Sequence, residues 1–144
     1  MSTPKPKVII RYCPDYDVER IRTIIREGLE ELDLRPHGRT LVKPNVVIAD
    51  EMFQNAFTRP EFTDGVLGAL KDRDDGQMTE LAVGERCGIT MPTRFALRNA
   101  KYGPVIKKHK VKRYHFDEVR QVEIRPAYAT MSTRQNRWRA PTSL

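Results

Sequence analysis

Residues 40–47 read Thr40-Leu41-Val42-Lys43-Pro44-Asn45-Val46-Val47, an apolar run that ends abruptly in a cation, a proline and an amide. The first three residues are typical of a buried strand. Pro44 has no backbone N–H to donate, so we expect the strand to end there. The pattern predicts a central strand over 40–43 whose carboxyl end presents the side chains of Lys43 and Asn45 at one place.

Strand and helix patterns alternate on both sides of this stretch. Short β-branched runs predict strands, and apolar residues at three- and four-residue spacing predict helices. In chain order we expect a strand over 7–12, a helix over 17–32, the strand over 40–43, a loop over 46–57, a helix from 58, a strand over 79–83, a helix over 92–101, a helical turn at 105–106, a strand over 111–116 and a short edge strand over 122–124. This alternation predicts an α/β domain, three-layer-like, with a largely parallel sheet and right-handed crossovers.

The first two helices have clear start signals. Asp15 or Asp17 can accept the free amide hydrogens at the start of the first helix. Thr58 is predicted to cap the second helix, with Pro60 in its first turn and Glu61 as the capping-box partner. The first apolar stripe consists of Val18, Ile21, Ile25, Leu29 and Leu32. The second stripe consists of Phe62, Val66, Ala69 and Leu70.

Length and charge divide the chain into two parts. Its 144 residues are enough for one domain with one core. The net charge is +7, and residues 125–144 contain four arginines and no acid, so residues 1–124 carry only +3. We therefore predict an α/β domain over 1–124 and a basic, disordered tail over 125–144.

The cysteines and the apolar runs bound the setting of the protein. Cys13 and Cys87 are far apart and form no C-x-x-C pair, so the residues offer no zinc or iron–sulfur ligand set. No apolar run approaches the roughly 18 residues that span a bilayer. The first residues show no apolar signal region. We therefore expect a cytoplasmic protein with no membrane partner.

Polar residues follow each predicted strand, and ligands bind outside the carboxyl ends of parallel strands. Four clusters meet this rule: Tyr12-Cys13, Lys43-Pro44-Asn45, Gly84-Glu85-Arg86 and Asp117-Glu118. Lys43 and Arg86 could hold an anionic group, Asn45 can donate and accept hydrogen bonds, and Glu85 could be a general base or a metal ligand. We predict a ligand site at Lys43, Asn45, Glu85 and Arg86, with the catalytic residues, if any, unknown.

Structural interpretations stand beside these roles. Lys43 and Glu85 could simply form an ion pair that closes the sheet edge. Cys13 has no histidine close by in sequence to activate it, and the three histidines are scattered. Neither G-x-G-x-x-G after the first strand nor G-x-x-x-x-G-K-[ST] occurs, which weighs against ordinary nucleotide binding.

A basic segment supports an alternative function. Residues 107–113 read Lys107-Lys108-His109-Lys110-Val111-Lys112-Arg113, and Trp138 accompanies the arginines of the tail. Such segments attract phosphates whatever the fold. A nucleic-acid-binding module is therefore the second hypothesis, and a non-catalytic fragment whose exposed sheet edge pairs with a protein partner or a second copy is the third.

Three segments together resemble the domain of unknown function 362 family. They are the Lys43-Pro44-Asn45 turn, the helix start from Thr58 to Glu61, and the strand end Val83-Gly84-Glu85, and they occur in the family's order within residues 7–119. The resemblance implies an α/β fold related to the N-terminal domain of nickel-dependent lactate racemases. It also marks Lys43, Asn45 and Glu85 as the positions of interest, without assigning them chemistry.

The same resemblance implies what this chain does not carry. Many family members have a ferredoxin-type module for two [4Fe–4S] clusters, which implies a redox or metal-linked role. This chain lacks the cysteines for such a module, so an iron–sulfur cluster is expected only in a partner or in a missing domain. The family's further lobe is also not recognisable in residues 125–144, so we expect an incomplete domain whose ligand is a small anion or a metal-linked partner.

Overall fold

The computed structural model describes residues 6–49, 55–88 and 91–118. Helices and strands alternate along them as α1 (Val18–Glu31), β1 (Gly38–Val42), α2 (Pro60–Asp72), β2 (Met78–Glu85), α3 (Thr93–Asn99), α4 (Gly103–His109) and β3 (Lys112–His115). The predicted α/β class is confirmed. The predicted edge strand over 122–124, the tail over 125–144 and part of the loop over 46–57 lie outside the described residues.

The strands form a parallel sheet in the order β1-β2-β3. The prediction of a central strand over 40–43 was wrong for the described sheet, because β1 lies at its edge and β2 at its centre. Val42 is in register with Val83, and Glu85 is in register with His115. When consecutive parallel strands are neighbours, right-handed crossovers place every connecting helix on the same face. The other face of this sheet is open in the described chain, and Leu41 on it is 47% exposed.

The core lies between the sheet and the helices. Val83 of β2 is fully buried and belongs to one cluster with Leu67 of α2, Leu97 of α3 and Val105 of α4. Each such side chain stabilises the fold by about 1.5–3 kcal/mol when it leaves water. On the open face, Gly84 has no room for a side chain, because a Cβ there would lie 2.6 Å from the Phe116 ring.

Helix α1 packs against α2. Asp17 caps α1 by accepting a hydrogen bond from the Arg20 backbone N–H at 2.7 Å, as predicted. Ile21 is the buried residue of the predicted stripe. A Cβ at Gly65 of α2 would lie 2.6 Å from Cγ2 of Ile21, so this glycine allows the two helices to approach closely. The prediction of an amphipathic helix over 17–32 is confirmed.

Helix α2 also contacts α4, and this contact buries polar groups. The Thr63 hydroxyl lies 3.1 Å from the Tyr102 hydroxyl, and Asp64 Oδ1 lies 2.7 Å from Nε2 of His109 and 2.9 Å from Nζ of Lys108. Burial raises the pKa of Asp64, but the hydrogen bonds from His109 and Lys108 outweigh it and lower the pKa below its ordinary value. Burial raises the pKa of Tyr102 to about 12.

Three local predictions were wrong. Residues 7–12 form no strand, and Val8, Ile10 and Tyr12 are 81%, 84% and 85% exposed, because β-branched residues make a strand only when another strand supplies partners.

Thr58 does not cap α2, since its hydroxyl accepts from the Asn45 N–H instead. Phe62 is exposed while Thr63 and Asp64 are buried, because α2 is covered by both α1 and α4.

No helix in the described part of the chain is long and apolar enough to cross a membrane.

Candidate functional site

Three of the four predicted clusters meet at the carboxyl edge of the sheet. Lys43 follows the end of β1, Glu85 ends β2, and Asp117 follows β3. The parallel registers place these ends side by side, because neighbouring strands are about 4.8 Å apart. The fourth cluster, Tyr12-Cys13, follows no strand, so its prediction as a strand end was wrong. Its Cys13 thiol is exposed and donates to the Asp15 carbonyl at 3.1 Å.

Glu85 organises this edge. Its side chain is almost fully buried, and its carboxylate accepts from Lys43 Nζ at 2.9 Å, from the Val46 N–H at 3.1 Å and from the Arg86 N–H at 2.7 Å. The ion pair with Lys43, one of the two interpretations offered by the sequence, is therefore present. With three donors on it, the carboxylate positions the turn after β1 and is not free to contact a ligand.

Thr58 holds the same turn from the other side. Its hydroxyl accepts from the Asn45 N–H at 3.0 Å, and its own N–H donates to the Asn45 carbonyl at 2.7 Å. These two hydrogen bonds join the backbone of Asn45 to Thr58 and leave the Asn45 side chain exposed at the edge. The sequence assigned Thr58 to helix capping, so its role at this turn was missed.

Lys43 and Arg86 present the positive charge of the edge. Lys43 reaches solvent with 56% of its side chain while it pairs with Glu85. Arg86 is exposed, and within residues 6–49, 55–88 and 91–118 its guanidinium makes no hydrogen bond or ion pair. The structure thus brings Lys43, Asn45, Glu85 and Arg86 together. It places Lys43, Asn45 and Arg86 on the surface and Glu85 beneath them.

A second hydrogen-bonded layer supports the edge. The buried Cys87 thiol donates to the Val46 carbonyl at 2.5 Å, and the Cys87 N–H donates to the Thr93 hydroxyl at 2.9 Å. Asp117 Oδ2 accepts from the Thr93 N–H at 3.0 Å, and this bond lowers the pKa of Asp117. Burial, together with the nearby charges of Glu85 and Asp117, raises the pKa of Cys87. Cys87 is therefore a structural thiol and not an activated nucleophile.

His115 is a residue of this edge that the sequence analysis missed. Its Nδ1 lies 3.2 Å from Oε2 of Glu118, whose other oxygen pairs with Arg94 at 2.9 Å. Its Nε2 is buried and makes no hydrogen bond to any described residue. The signal was available, because His115 lies at the end of the fourth predicted strand, two residues before Asp117.

The described residues of this edge do not form a metal-binding site. In the part of the chain that the structure describes, no three side chains of histidine, cysteine, aspartate and glutamate converge on one point. Glu85, the predicted acid of the edge, is instead occupied by Lys43 and two backbone N–H groups. What the edge offers are hydrogen-bond donors and one guanidinium without a partner among the described residues.

Comparison with protein families matches residues 40–139 to the domain of unknown function DUF362. The chain belongs to this family. The DUF362 match contains all three segments that carried the resemblance, begins at the first residue of the 40–47 stretch and runs past residue 124. No curated protein and no solved structure matches the chain. Because the family is described only as a domain of unknown function, it adds no reaction or ligand to the site.

Proposed function

We propose that this DUF362 domain binds a small anion at the carboxyl edge of its sheet, through Lys43, Asn45 and Arg86. The observation that carries the proposal is the state of Arg86, an exposed guanidinium with no partner among the described residues. It lies directly beside Glu85, which accepts from the Arg86 N–H. A planar guanidinium at the same sheet edge as an exposed amide and an ammonium group suits a carboxylate, because it can donate two parallel hydrogen bonds.

The local charge favours a singly charged anion over a polyphosphate. Glu85 offsets the charge of Lys43, and Asp117 and Glu118 add two carboxylates at the same edge. Arg86 is then the main unbalanced cation of the described edge. A monocarboxylate matches this charge, whereas a polyphosphate would lie near several acids.

The test is a titration of the 144-residue chain with acetate, followed by NMR shifts of backbone amides near residues 43–46 and 85–88. Arg86→Gln should weaken acetate binding about tenfold, since a hydrogen bond to a charged group contributes about 1.5–3 kcal/mol. Arg98→Gln, a substitution of an α3 arginine, is the control and should leave acetate binding unchanged. Equal acetate affinity in Arg86→Gln and the unaltered chain would rule out the proposed site.

Lys43→Ala gives a second reading of the same site. It should weaken acetate binding by less than Arg86→Gln does, because Glu85 already offsets the charge of Lys43, and it also leaves Glu85 with only its two backbone donors. Binding must therefore be measured on protein that circular dichroism shows to be folded. Undiminished binding in folded Lys43→Ala would confine the site to Arg86 and Asn45.

The cellular setting and the partners form a further part of the proposal. A cytoplasmic location is consistent with two free thiols, one of them exposed, because disulfides are rare in reducing compartments. A redox or metal-linked role would require an iron–sulfur cluster supplied by a partner or another domain. We assign no catalytic activity to the described edge.

An exposed sheet edge supports a second candidate, association with a protein partner or with a second copy of the chain. The outer edge of β1 pairs with no strand in the described chain, and Val8, Ile10 and Tyr12 expose apolar side chains at strand spacing before α1. Free strand edges and apolar patches are sites of association. Sedimentation at rising concentration should show a dimer, and a monomer at every concentration would contradict self-association.

Nucleic-acid binding through residues 107–113 has less support. Two of its lysines have acidic partners within the fold, because Lys108 pairs with Asp64 at 2.9 Å and Lys112 pairs with Glu80. His109 is buried against Asp64. The segment therefore offers fewer exposed charges to a phosphate backbone than its sequence suggests.

A further inference from the structure

A groove separate from the turn after β1 lies beside α3. Its volume is about 530 Å³, and its walls come from α3, the start of α4 and β3. Leu97 and Tyr102 are fully buried beneath it, and Pro104 lines it. A volume of this size falls in the range of about 300–1,000 Å³ that holds small ligands.

Cations line the groove, and no acid among the described residues does. The cationic lining residues are Arg94, Arg98, Lys101 and Arg113. Arg94 is offset by Glu118 at 2.9 Å, whereas the other three make no ion pair with any described residue. Glu61 is close enough to Lys101 to feel its charge, but Glu61 is already paired with Arg59 at 3.3 Å. Like charges collected around one cavity repel one another, so an anion bound there would relieve the repulsion.

An aromatic ring stands among these cations. Phe95 is 41% exposed, and the guanidinium groups of Arg98 and Arg94 lie 4.9 Å and 5.9 Å from its ring centroid. An exposed ring flanked by arginines provides both a surface on which a planar base stacks and charges for the attached phosphate. An ion that lacks a ring would use only half of this arrangement.

Lys101 occupies a conformation that its side chain does not favour. Its φ is 59°, in the left-handed region directly after α3, where glycine is the commonest residue. The strain alone does not indicate function, since Lys110 has a φ of 51° after α4. The two lysines therefore form a matched pair: both follow a helix in the same conformation, and only Lys101 lines the groove.

We propose that the α3 groove binds a nucleotide, with the base on Phe95 and the phosphate at Arg98, Lys101 and Arg113. The ligand is a planar base joined to a phosphate, either as a free nucleotide or as one unit of a single strand. The contacts are made by side chains and need no glycine-rich loop, so the missing phosphate-loop motifs do not exclude them. The proposal does not depend on anion binding at the sheet edge.

The test titrates the full chain with adenosine 5′-monophosphate, with a short single-stranded DNA and with ribose 5-phosphate, which lacks the base. The nucleotide should bind about tenfold more tightly than ribose 5-phosphate, and Phe95→Ala should remove most of that difference, since stacking of one base contributes about that factor. Because Phe95 is partly exposed, this variant should remain folded, as circular dichroism will check. Tighter binding of the strand than of the nucleotide would identify a nucleic acid as the source of the ligand.

Substituting Lys101 and Lys110 separates the effect of the Lys101 charge on binding from the effect of backbone strain on stability. Lys101→Gly and Lys110→Gly should both raise the thermal midpoint, because glycine adopts the left-handed conformation without strain. Only Lys101→Gly should weaken nucleotide binding, by about fivefold to tenfold. Arg86→Gln should leave it unchanged, which keeps this result independent of the edge site. Equal binding of the nucleotide and ribose 5-phosphate, or unchanged affinity in Phe95→Ala, would overturn the proposal.

Discussion

The carboxyl edge of the sheet and the α3 groove hold similar side chains in opposite states. At the edge, Lys43 pairs with a buried glutamate at 2.9 Å, and the same carboxylate accepts from two backbone N–H groups. In the groove, Arg98, Lys101 and Arg113 line the same cavity as the partly exposed Phe95 ring and make no ion pair with any described residue. The charge of Lys43 is therefore committed to the fold, whereas the charges of Arg98, Lys101 and Arg113 are available to a ligand, as is that of Arg86 beside Lys43.

This difference teaches which residues a substitution can test. Burying the Glu85 carboxylate is costly unless several donors meet it, so its donors are needed by the folded state itself. Arg98, Lys101 and Arg113 in the groove are not needed by the fold in this way, because removing them leaves no buried group of the described residues without a partner. We therefore expect substitution of Glu85 to change stability, and substitutions of the groove cations, like that of Arg86, to change binding.

Glu85→Ala should give the largest effect. It removes the acceptor of Lys43 and leaves two N–H groups without their carboxylate, one of them the buried N–H of Val46. We expect a loss of about 3–5 kcal/mol in the free energy of unfolding, the range for breaking a buried pair. Urea denaturation followed by circular dichroism measures it.

Arg98→Gln is the matched control for that experiment. Its guanidinium is exposed in the groove, so the free energy of unfolding should change by no more than about 0.5 kcal/mol. If Glu85→Ala and Arg98→Gln gave equal losses, the contrast between a structural edge and an available groove would not hold.

Much of the fold was predictable because it follows local rules. The stripe that includes Ile21 and Leu29 indicated α1, and Asp17 caps it as expected. Residues 7–12 show where such rules end: they have the composition of a strand, yet they make no strand pairing. Strand formation depends on a neighbouring strand, and no pattern within six residues can supply that information.

The site was predictable only in part, for a related reason. The rule about strand ends brought Lys43 and Glu85 together correctly, since it needs only the order of strands. It could not show that Glu85 is buried or that Thr58 holds the turn, because both depend on side-chain packing. The groove escaped the sequence analysis entirely, since Phe95 and Arg113 meet only after α3, α4 and β3 have packed.

Acid should lower the free energy of unfolding through the carboxylates of the edge and not through the groove. We expect this effect to be smaller than that of Glu85→Ala. Asp117 accepts from the Thr93 N–H at the start of α3, and this bond lowers the pKa of Asp117. A carboxylate with a lower pKa in the folded state contributes stability that is complete above its unfolded pKa of about 3.9 and is lost as the pH falls through the folded value. Asp117→Asn should therefore cost about 0.5 kcal/mol at neutral pH and reduce the fall in unfolding free energy between about pH 5 and pH 2.

Urea denaturation at several pH values measures this slope. Some slope should persist in Asp117→Asn, because the pKa of Asp64 is also lowered. Arg98→Gln should keep the slope of the unaltered chain, since the groove has no carboxylate from residues 6–49, 55–88 and 91–118 in its lining. If Asp117→Asn also kept that slope, the hydrogen bond to Thr93 would contribute nothing to acid sensitivity. The start of α3 would then be held in place by packing alone.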